Sequence, residues 1–124
     1  MSVKVYVVDD SAVVRQAIQH LLQGERDIEL IGSAPNAMLA AAAIRKRRPD
    51  VLLLDIEMPG MDGLTFLKEI KKSAALKFIP VMMLTTEAGA DKMAIGKAEG
   101  ARAWMTKPFK PEQMLAAVQK LVLP

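Results

Sequence analysis

Residues 51–63 read VLLLDIEMPGMDG, and this stretch decides the fold. Its first four residues are apolar with no polar residue between them, which is the pattern of a strand covered on both faces. The same pattern recurs at residues 5–8, which read VYVV, and at residues 81–84, which read VMML. Strands of this kind belong inside a parallel sheet, because helices cover both faces of such a sheet.

Outward from these runs, short apolar segments alternate with longer segments of helical spacing, five times over. Strands are predicted at residues 3–8, 28–31, 51–54, 80–84 and 101–105. Helices are predicted at residues 13–22, 38–44, 64–70, 93–98 and 114–121. Strand-then-helix units imply right-handed crossovers, so the predicted fold class is α/β, a doubly wound five-stranded parallel sheet with helices on both faces.

Helix boundaries follow from residues that cap or end helices. Ser11, Asn36 and Asp62 are predicted N-caps, because their side chains can accept hydrogen bonds from free backbone N–H groups. Gly24 and Gly100 come where the first and fourth helices should stop.

Composition narrows the class of protein. The 124 residues are 52% hydrophobic and 25% charged, which predicts a single folded domain over residues 1–124 and excludes disorder. A net charge of +3 is too small for a nucleic-acid-binding surface. The absence of cysteine excludes disulfides, cysteine-based zinc sites and thiol catalysis. The first apolar run is too short for a leader or a membrane span, so a cytoplasmic location without membrane insertion is expected.

Polar side chains follow the predicted strands, at the points where each strand ends. Ligands of open parallel sheets bind beyond the carboxyl ends of the strands, near the switch in strand order. These ends therefore form a candidate site, and its residues are Asp9 and Asp10 after the first strand, Asp55 and Glu57 after the third, Thr85, Thr86 and Glu87 after the fourth, and Thr106 and Lys107 after the fifth.

Electrostatics predicts a cation at this edge of the sheet. Two like charges about 4 Å apart repel by about 4 kcal/mol at an effective dielectric of about 20, so clustered aspartates need positive charge to stay ionised. Lys107 supplies one charge, and a hard divalent ion would supply the rest. Mg²⁺ fits, because it prefers oxygen ligands and keeps waters that a phosphate can displace, whereas Ca²⁺ needs more ligands.

In these residues the sequence resembles the receiver domain of bacterial two-component response regulators, over essentially all 124 residues. The motifs are Asp9-Asp10, the stretch DIEMPGMDG at residues 55–63, Thr85, and Lys107 with the Pro-Phe that follows it. Thr85 comes 30 residues after Asp55 and Lys107 comes 52 residues after it, as in the family. The resemblance implies a flavodoxin-like sheet of order 2-1-3-4-5.

The resemblance also implies a role for each matched residue. Asp55 would accept a phosphoryl group and form an aspartyl phosphate. Mg²⁺ would be bound by Asp10 directly, by Asp9 chiefly through water, by Asp55, and by the backbone carbonyl of Glu57. Lys107 would pair with Asp55 before phosphorylation and with a phosphoryl oxygen afterwards.

A switch follows from the same resemblance. A phosphoryl group brings about −1.5 to −2 charge, which can draw the Thr85 hydroxyl inward. The aromatic residue of the fifth strand, here Trp104, would then turn into the vacated space, incompletely because an indole is large. Gly96 costs on the order of 1 kcal/mol relative to alanine, which predicts a loosely held fourth helix. The output face would be helix four, strand five and helix five, around Met93, Lys97, Trp104 and Lys110.

The expected partners are a histidine kinase or a small acyl phosphate as phosphodonor, and a downstream protein at the output face. Because 124 residues leave no room for an output domain, the output is expected through protein contact. The domain would catalyse only its own phosphorylation and dephosphorylation, so it is not classed as an enzyme. Glu57 and Glu87 stand at positions that tune phosphate lifetime in the family, and sequence does not give the direction of their effect.

Two features of the resemblance leave alternatives open. Residues 1 to about 70 look most like the receiver of the chemotaxis methylesterase, whereas residues from about 73 look closer to single-domain regulators of the CheY type, so a hybrid is one interpretation. The first alternative to a phosphorylation switch is an inert or recombined scaffold that keeps the receiver fold without switching. The second alternative is a Mg²⁺-dependent phosphatase that forms an aspartyl phosphate, since Asp55-Ile56-Glu57 faintly resembles the nucleophile motif of such enzymes.

Other conspicuous residues receive plain structural interpretations. The basic run at residues 45–48 is interpreted as a solvated face at the end of the second helix, where the helix dipole favours cations. His20 is interpreted as a surface residue, and the nine methionines as residues that fill gaps in the core.

Overall fold

The structure is a computed structural model of the chain, and it describes residues 2–58, 60–85 and 92–122, with the backbone alone at residues 92, 93 and 122. Strands and helices alternate throughout. The strands are β1 (Val3–Val8), β2 (Ile28–Ala34), β3 (Val51–Asp55), β4 (Val81–Thr85) and β5 (Ala103–Thr106). The helices are α1 (Ala12–Gln23), α2 (Ala37–Lys46), α3 (Gly63–Lys72), α4 (Lys92–Ala98) and α5 (Pro111–Val122).

The five strands form one parallel sheet of order β2-β1-β3-β4-β5, so the predicted fold class and strand order are confirmed. The chain leaves β1 for β2 on one side and returns to β3 on the other. The carboxyl ends of β1 and β3 therefore lie side by side at the switch in strand order, where a crevice is expected.

Apolar side chains pack on both faces of the sheet, as the unbroken apolar strands predicted. On one face, α2 and α3 bury Ile44, Phe66 and Ile70 against the sheet. On the other face, Ile18 of α1 and Val118 of α5 pack against it. Alternate residues of the same strand serve opposite faces because successive side chains of a strand point in opposite directions.

Strand β2 continues three residues beyond the predicted end at residue 31. Gly32 pairs with Tyr6 of β1, and a Cβ at position 32 would lie 2.8 Å from Tyr6 Cε2. The absence of a side chain at Gly32 therefore leaves room for the Tyr6 ring beside the paired strands β1 and β2. A glycine followed by Ser33 has low strand propensity, so tertiary packing overrode the local pattern here.

The predicted N-caps are confirmed by hydrogen bonds. Ser11 Oγ accepts from Val14 N at 3.3 Å, and Asn36 Oδ1 accepts from Leu39 N at 3.0 Å. Asp62 Oδ1 accepts from the backbone N–H of residue 65 at 2.8 Å, at the start of α3. These caps set where α1, α2 and α3 begin.

The methionines whose side chains are described differ in burial. Met58, Met82, Met83 and Met114 are buried in the core, as predicted. Met38 is 82% exposed and Met61 is 43% exposed, so the interpretation of methionines as core residues is wrong at these two positions. Within the described ranges, every helix is too short or too polar to cross a bilayer.

Candidate functional site: an acidic pocket at the switch in strand order

Three carboxylates meet at the carboxyl ends of β1 and β3. Asp9 follows β1 and is 0% exposed, Asp55 ends β3 and is 1% exposed, and Asp10 is exposed. One carboxylate oxygen from each residue lies within 4.8 Å of the others. The fold thus concentrates negative charge at the place that the strand order predicts for a ligand.

Lys107 reaches this cluster from the end of β5. Its Nζ lies 2.7 Å from Asp9 Oδ2 and 3.2 Å from Asp55 Oδ1. The backbone N of Lys107 donates to Thr85 O at 2.7 Å, which ties the residue to the end of β4, and the peptide bond to Pro108 is cis. The sequence interpretation paired Lys107 with Asp55 alone, whereas the structure gives the ammonium a shorter contact with Asp9.

Backbone and side-chain donors hold the two buried acids in place. Ser11 N donates to Asp9 Oδ1 at 2.9 Å, and Glu57 N donates to Asp55 Oδ1 at 3.2 Å. Arg15 Nη1, on α1, donates to the backbone carbonyl of Asp9 at 2.7 Å. These contacts orient the carboxylates before any ligand binds, which lowers the reorganisation that binding requires.

Burial sets the ionisation of the site. It raises the pKa of Asp55 from 3.8 to about 7, assisted by the negative charge of Asp9 and opposed by Lys107. Burial alone would lower the pKa of Lys107, but hydrogen bonds and charges from Asp9 and Asp55 raise it overall. One ammonium therefore does not fully compensate two buried carboxylates, and the all-oxygen donor set fits an additional hard cation.

Thr85, at the end of β4, completes the rim of the pocket. Thr85 is 1% exposed, and its Oγ1 donates to Glu57 Oε1 at 3.2 Å. The sequence predicted the backbone carbonyl of Glu57 as a Mg²⁺ ligand and its charge as an influence on phosphate lifetime. It did not predict this side-chain contact. Thr86 and Glu87, also named as strand-end residues, lie outside the described residues.

Trp104 packs against α4 through a glycine. A Cβ at Gly96 would lie 2.5 Å from Trp104 Cζ3, so the ring occupies space that any other residue would fill. The indole Nε1 is buried and finds no hydrogen-bond acceptor among the described residues. Gly96 thus has a packing role that its interpretation as a weak point of the helix did not include.

The remaining residues of the expected output face are partly described. Lys97 and Lys110 are exposed and Trp104 is half-buried. The side chain of Met93 lies outside the described residues.

The interpretations of His20 and of the basic run as exposed surface are confirmed. His20 is exposed on α1, and the basic run at residues 45–48 is exposed at the end of α2. Within that run, Arg47 Nη2 pairs with Glu29 Oε2 at 3.1 Å, and both side chains are about half exposed.

Comparison with known proteins identifies the class. A family model described as the response regulator receiver domain matches residues 5–119. The chain therefore belongs to the receiver domains of response regulators, the switch modules of two-component signalling. The alternatives of a phosphatase and an inert scaffold are not favoured by this match.

The relatives include methylesterases. Protein-glutamate methylesterase/protein-glutamine glutaminase 1 of Chromobacterium violaceum is 44% identical over 124 residues, covering 98% of this chain and 34% of the relative. The corresponding protein of Methylobacillus flagellatus is 38% identical over 110 residues, covering 87% of this chain and 30% of that protein. The chain thus spans about a third of the length of these relatives.

Solved structures give the same class. The chemotaxis protein CheY4 of Vibrio cholerae superimposes with a TM-score of 0.87 at 39% identity, covering 98% of this chain and 100% of that one. The response regulator domain of Thermotoga maritima CheB gives a TM-score of 0.87 at 28% identity, with 100% of both chains covered. Because the similarity to methylesterase receivers extends over both halves of the chain, a division near residue 70 is not required.

Proposed function

We propose that Asp55 accepts a phosphoryl group from a histidine kinase or a small acyl phosphate. The observation that carries this proposal is the triangle of Asp9, Asp55 and Lys107, in which one ammonium bridges two buried carboxylates at 2.7 and 3.2 Å. A carboxylate oxygen of Asp55 bonds to phosphorus while the bond between phosphorus and the donor atom breaks. The leaving group departs with the bonding electron pair, as an imidazole that takes up a proton when the donor is a histidine, or as a carboxylate when the donor is an acyl phosphate.

The residues also fit a bound Mg²⁺. Asp10, Asp9, Asp55 and the backbone carbonyl of Glu57 are the proposed ligands, directly or through water, and their oxygens match its preference. When bound, Mg²⁺ supplies positive charge that stabilises the oxygens of the transferring phosphoryl group. The carboxylate cluster within 4.8 Å supports this assignment, which remains a proposal.

Lys107 then exchanges one partner for another. Once Asp55 carries the phosphoryl group, we expect the ammonium to leave the Asp55 oxygen and pair with a phosphoryl oxygen, while its contact with Asp9 keeps it at the site. A point charge on a flexible stem suits this movement. Thr85 is the proposed hydroxyl donor to another phosphoryl oxygen.

The proposed readout is the face formed by α4, β5 and α5, where Trp104 responds to Thr85 and a downstream protein binds. The chain would catalyse only the gain and loss of its own phosphate. Similarity to chemotaxis methylesterases and to CheY4 supports a place in a chemotaxis pathway. The methylesterase activity of the longer relatives is not assigned to this chain.

Beryllofluoride tests the proposal, because with Mg²⁺ it mimics a phosphoryl group on an aspartate. We expect backbone NMR resonances around residues 55, 85 and 104 to shift on addition of both reagents. The matched control is Asp55→Asn, which preserves shape and removes the charge. An equal shift in this variant, or none in the parent protein, would contradict the proposal.

A further inference from the structure

One residue contacts both the proposed phosphoacceptor and the proposed switch hydroxyl. Glu57 lies two residues beyond Asp55, in the loop between β3 and α3. Its backbone N donates to Asp55 Oδ1 at 3.2 Å, and its carboxylate Oε1 accepts from Thr85 Oγ1 at 3.2 Å. The side chain therefore links the loop after β3 to the end of β4.

We propose that Glu57 is a positioning residue that holds the Thr85 hydroxyl away from the phosphoryl site until Asp55 is phosphorylated. This inference rests on the proposed function, which needs the same hydroxyl. We refer to the hydrogen bond between Thr85 Oγ1 and Glu57 Oε1 as the Glu57 latch. It opposes switching and so sets how much phosphorylation is needed to switch the domain.

The number of protons makes the two contacts mutually exclusive. A threonine hydroxyl has a single proton, so at any moment it donates to one acceptor. Among the described residues, Oε1 of the Glu57 carboxylate accepts this proton. Donation to a phosphoryl oxygen on Asp55 therefore requires that this bond break.

Burial makes the contact count. Thr85 is 1% exposed, so water competes little for its hydroxyl, and a hydrogen bond to an ionised acceptor is stronger than one between neutral groups. The backbone carbonyl of Thr85 is also held by Lys107 N at 2.7 Å. The latch thus acts on a segment that is already fixed at its backbone.

Charge gives the release. A phosphoryl group on Asp55 adds about −1.5 to −2 charge at a residue whose carboxylate is bonded to the backbone N of Glu57. Glu57 is only half-buried, so its carboxylate keeps access to solvent when the bond to Thr85 breaks. Phosphorylation therefore supplies a new acceptor for Thr85 and repels the old one.

A double-mutant cycle separates the latch from simple repulsion between charges. Beryllofluoride affinity is measured at saturating Mg²⁺ in the parent protein, Glu57→Ala, Thr85→Ala and the double variant. If Glu57 acts through Thr85, we expect Glu57→Ala to tighten binding about three- to tenfold in the parent and less than about twofold in the Thr85→Ala background, as loss of one hydrogen bond implies. An equal gain in both backgrounds, or no gain in the parent, overturns the latch.

Two further arms keep the test decisive. Glu57→Gln keeps an acceptor oxygen and the side-chain volume, so we expect a smaller gain than in Glu57→Ala, and this variant serves if the alanine variant does not fold. Without any ligand, three-bond NMR couplings of Thr85 should report one χ1 rotamer in the parent and averaged rotamers in Glu57→Ala. If the parent binds no beryllofluoride, the proposed function fails, yet unchanged couplings would still overturn the latch by themselves.

Discussion

Strands β3 and β5 lie two places apart in one sheet and differ sharply in burial. All five residues of β3 are buried, whereas none of the four residues of β5 is. Strand β3 carries the acceptor Asp55, and β5 carries Trp104. Since apolar burial stabilises structure by about 25 cal/mol per Å², the chemical centre stands on the more stable part of the sheet and the readout on the less stable part.

The difference indicates a division of labour. Phosphoryl transfer needs atoms held in place, because a small misplacement costs much of the rate. A switch instead needs an element whose two arrangements differ little in free energy. Two residues join these parts. Lys107 follows β5 and contacts Asp9 and Asp55, and Thr85 ends β4 and contacts Glu57.

The largest expected effect tests the difference in burial directly. Leu53 in β3 and Met105 in β5 pack into the same apolar cluster, but only Leu53 is fully buried. We expect Leu53→Ala to lower the free energy of unfolding by about 3 kcal/mol or more, and Met105→Ala by about 1 kcal/mol. Urea unfolding of both variants measures this, and equal losses would remove the contrast between the strands.

A pH series tests how far burial controls Asp55. In the metal-free protein the pKa of Asp55 is raised to about 7 from 3.8, so between these values the folded state holds a proton that the unfolded chain has lost. The free energy of unfolding contributed by this group is therefore greatest below about pH 4 and falls as pH rises towards about 7.

We expect Asp55→Asn to remove that fall, because asparagine does not titrate. Urea unfolding in the presence of a chelator, repeated from about pH 4 to about pH 8, compares the two proteins. If the parent and the variant share the same pH dependence, burial does not perturb Asp55 as described.

The contact between Gly96 and Trp104 tests the readout side. Alanine in an exposed helix interior normally stabilises by up to about 1 kcal/mol relative to glycine. Here we expect Gly96→Ala to destabilise by about 1 kcal/mol instead, because the new Cβ would lie 2.5 Å from Trp104 Cζ3. In a Trp104→Phe background the same substitution should become neutral or stabilising, and a penalty in both backgrounds would show that the ring is not its cause.

The smallest expected effect is spectroscopic. Trp104 is the single tryptophan and lies half-buried against α4. We expect its fluorescence emission to change when Mg²⁺ binds and again with beryllofluoride. The Asp55→Asn protein should lose the second change, and an emission spectrum insensitive to both additions would separate Trp104 from the switch.

Much of the architecture could be predicted from the sequence, for identifiable reasons. Strands β1, β3 and β4 each contain an unbroken run of four apolar residues, and their connection by helices implies parallel order. The polar residues after them then fall at one edge by topology alone, which is why Asp9, Asp55 and Lys107 could be grouped before the fold was known. The end of β2 could not be predicted, because glycine is rare in strands and Gly32 pairs with Tyr6, whose ring fills the space of a Cβ at position 32.

Some contacts that depend on side-chain placement could not be predicted. The shorter contact of Lys107 with Asp9, the hydrogen bond from Thr85 to Glu57, and the packing of Trp104 on Gly96 join residues far apart in sequence. Each depends on rotamers and on the spacing of neighbouring strands, which residue patterns do not encode. The sequence shows that a glycine stands at position 96 of the fourth helix. It does not show the reason, which is the Trp104 ring on β5.

The most direct measurement is the mass of the protein after incubation with a small acyl phosphate and Mg²⁺, followed by peptide mapping. If the acidic pocket is a phosphoryl acceptor, the chain gains one phosphoryl group, the label maps to Asp55, and both a chelator and Asp55→Asn abolish it. A protein that gains no phosphoryl group, or that gains it equally in Asp55→Asn, would contradict the account.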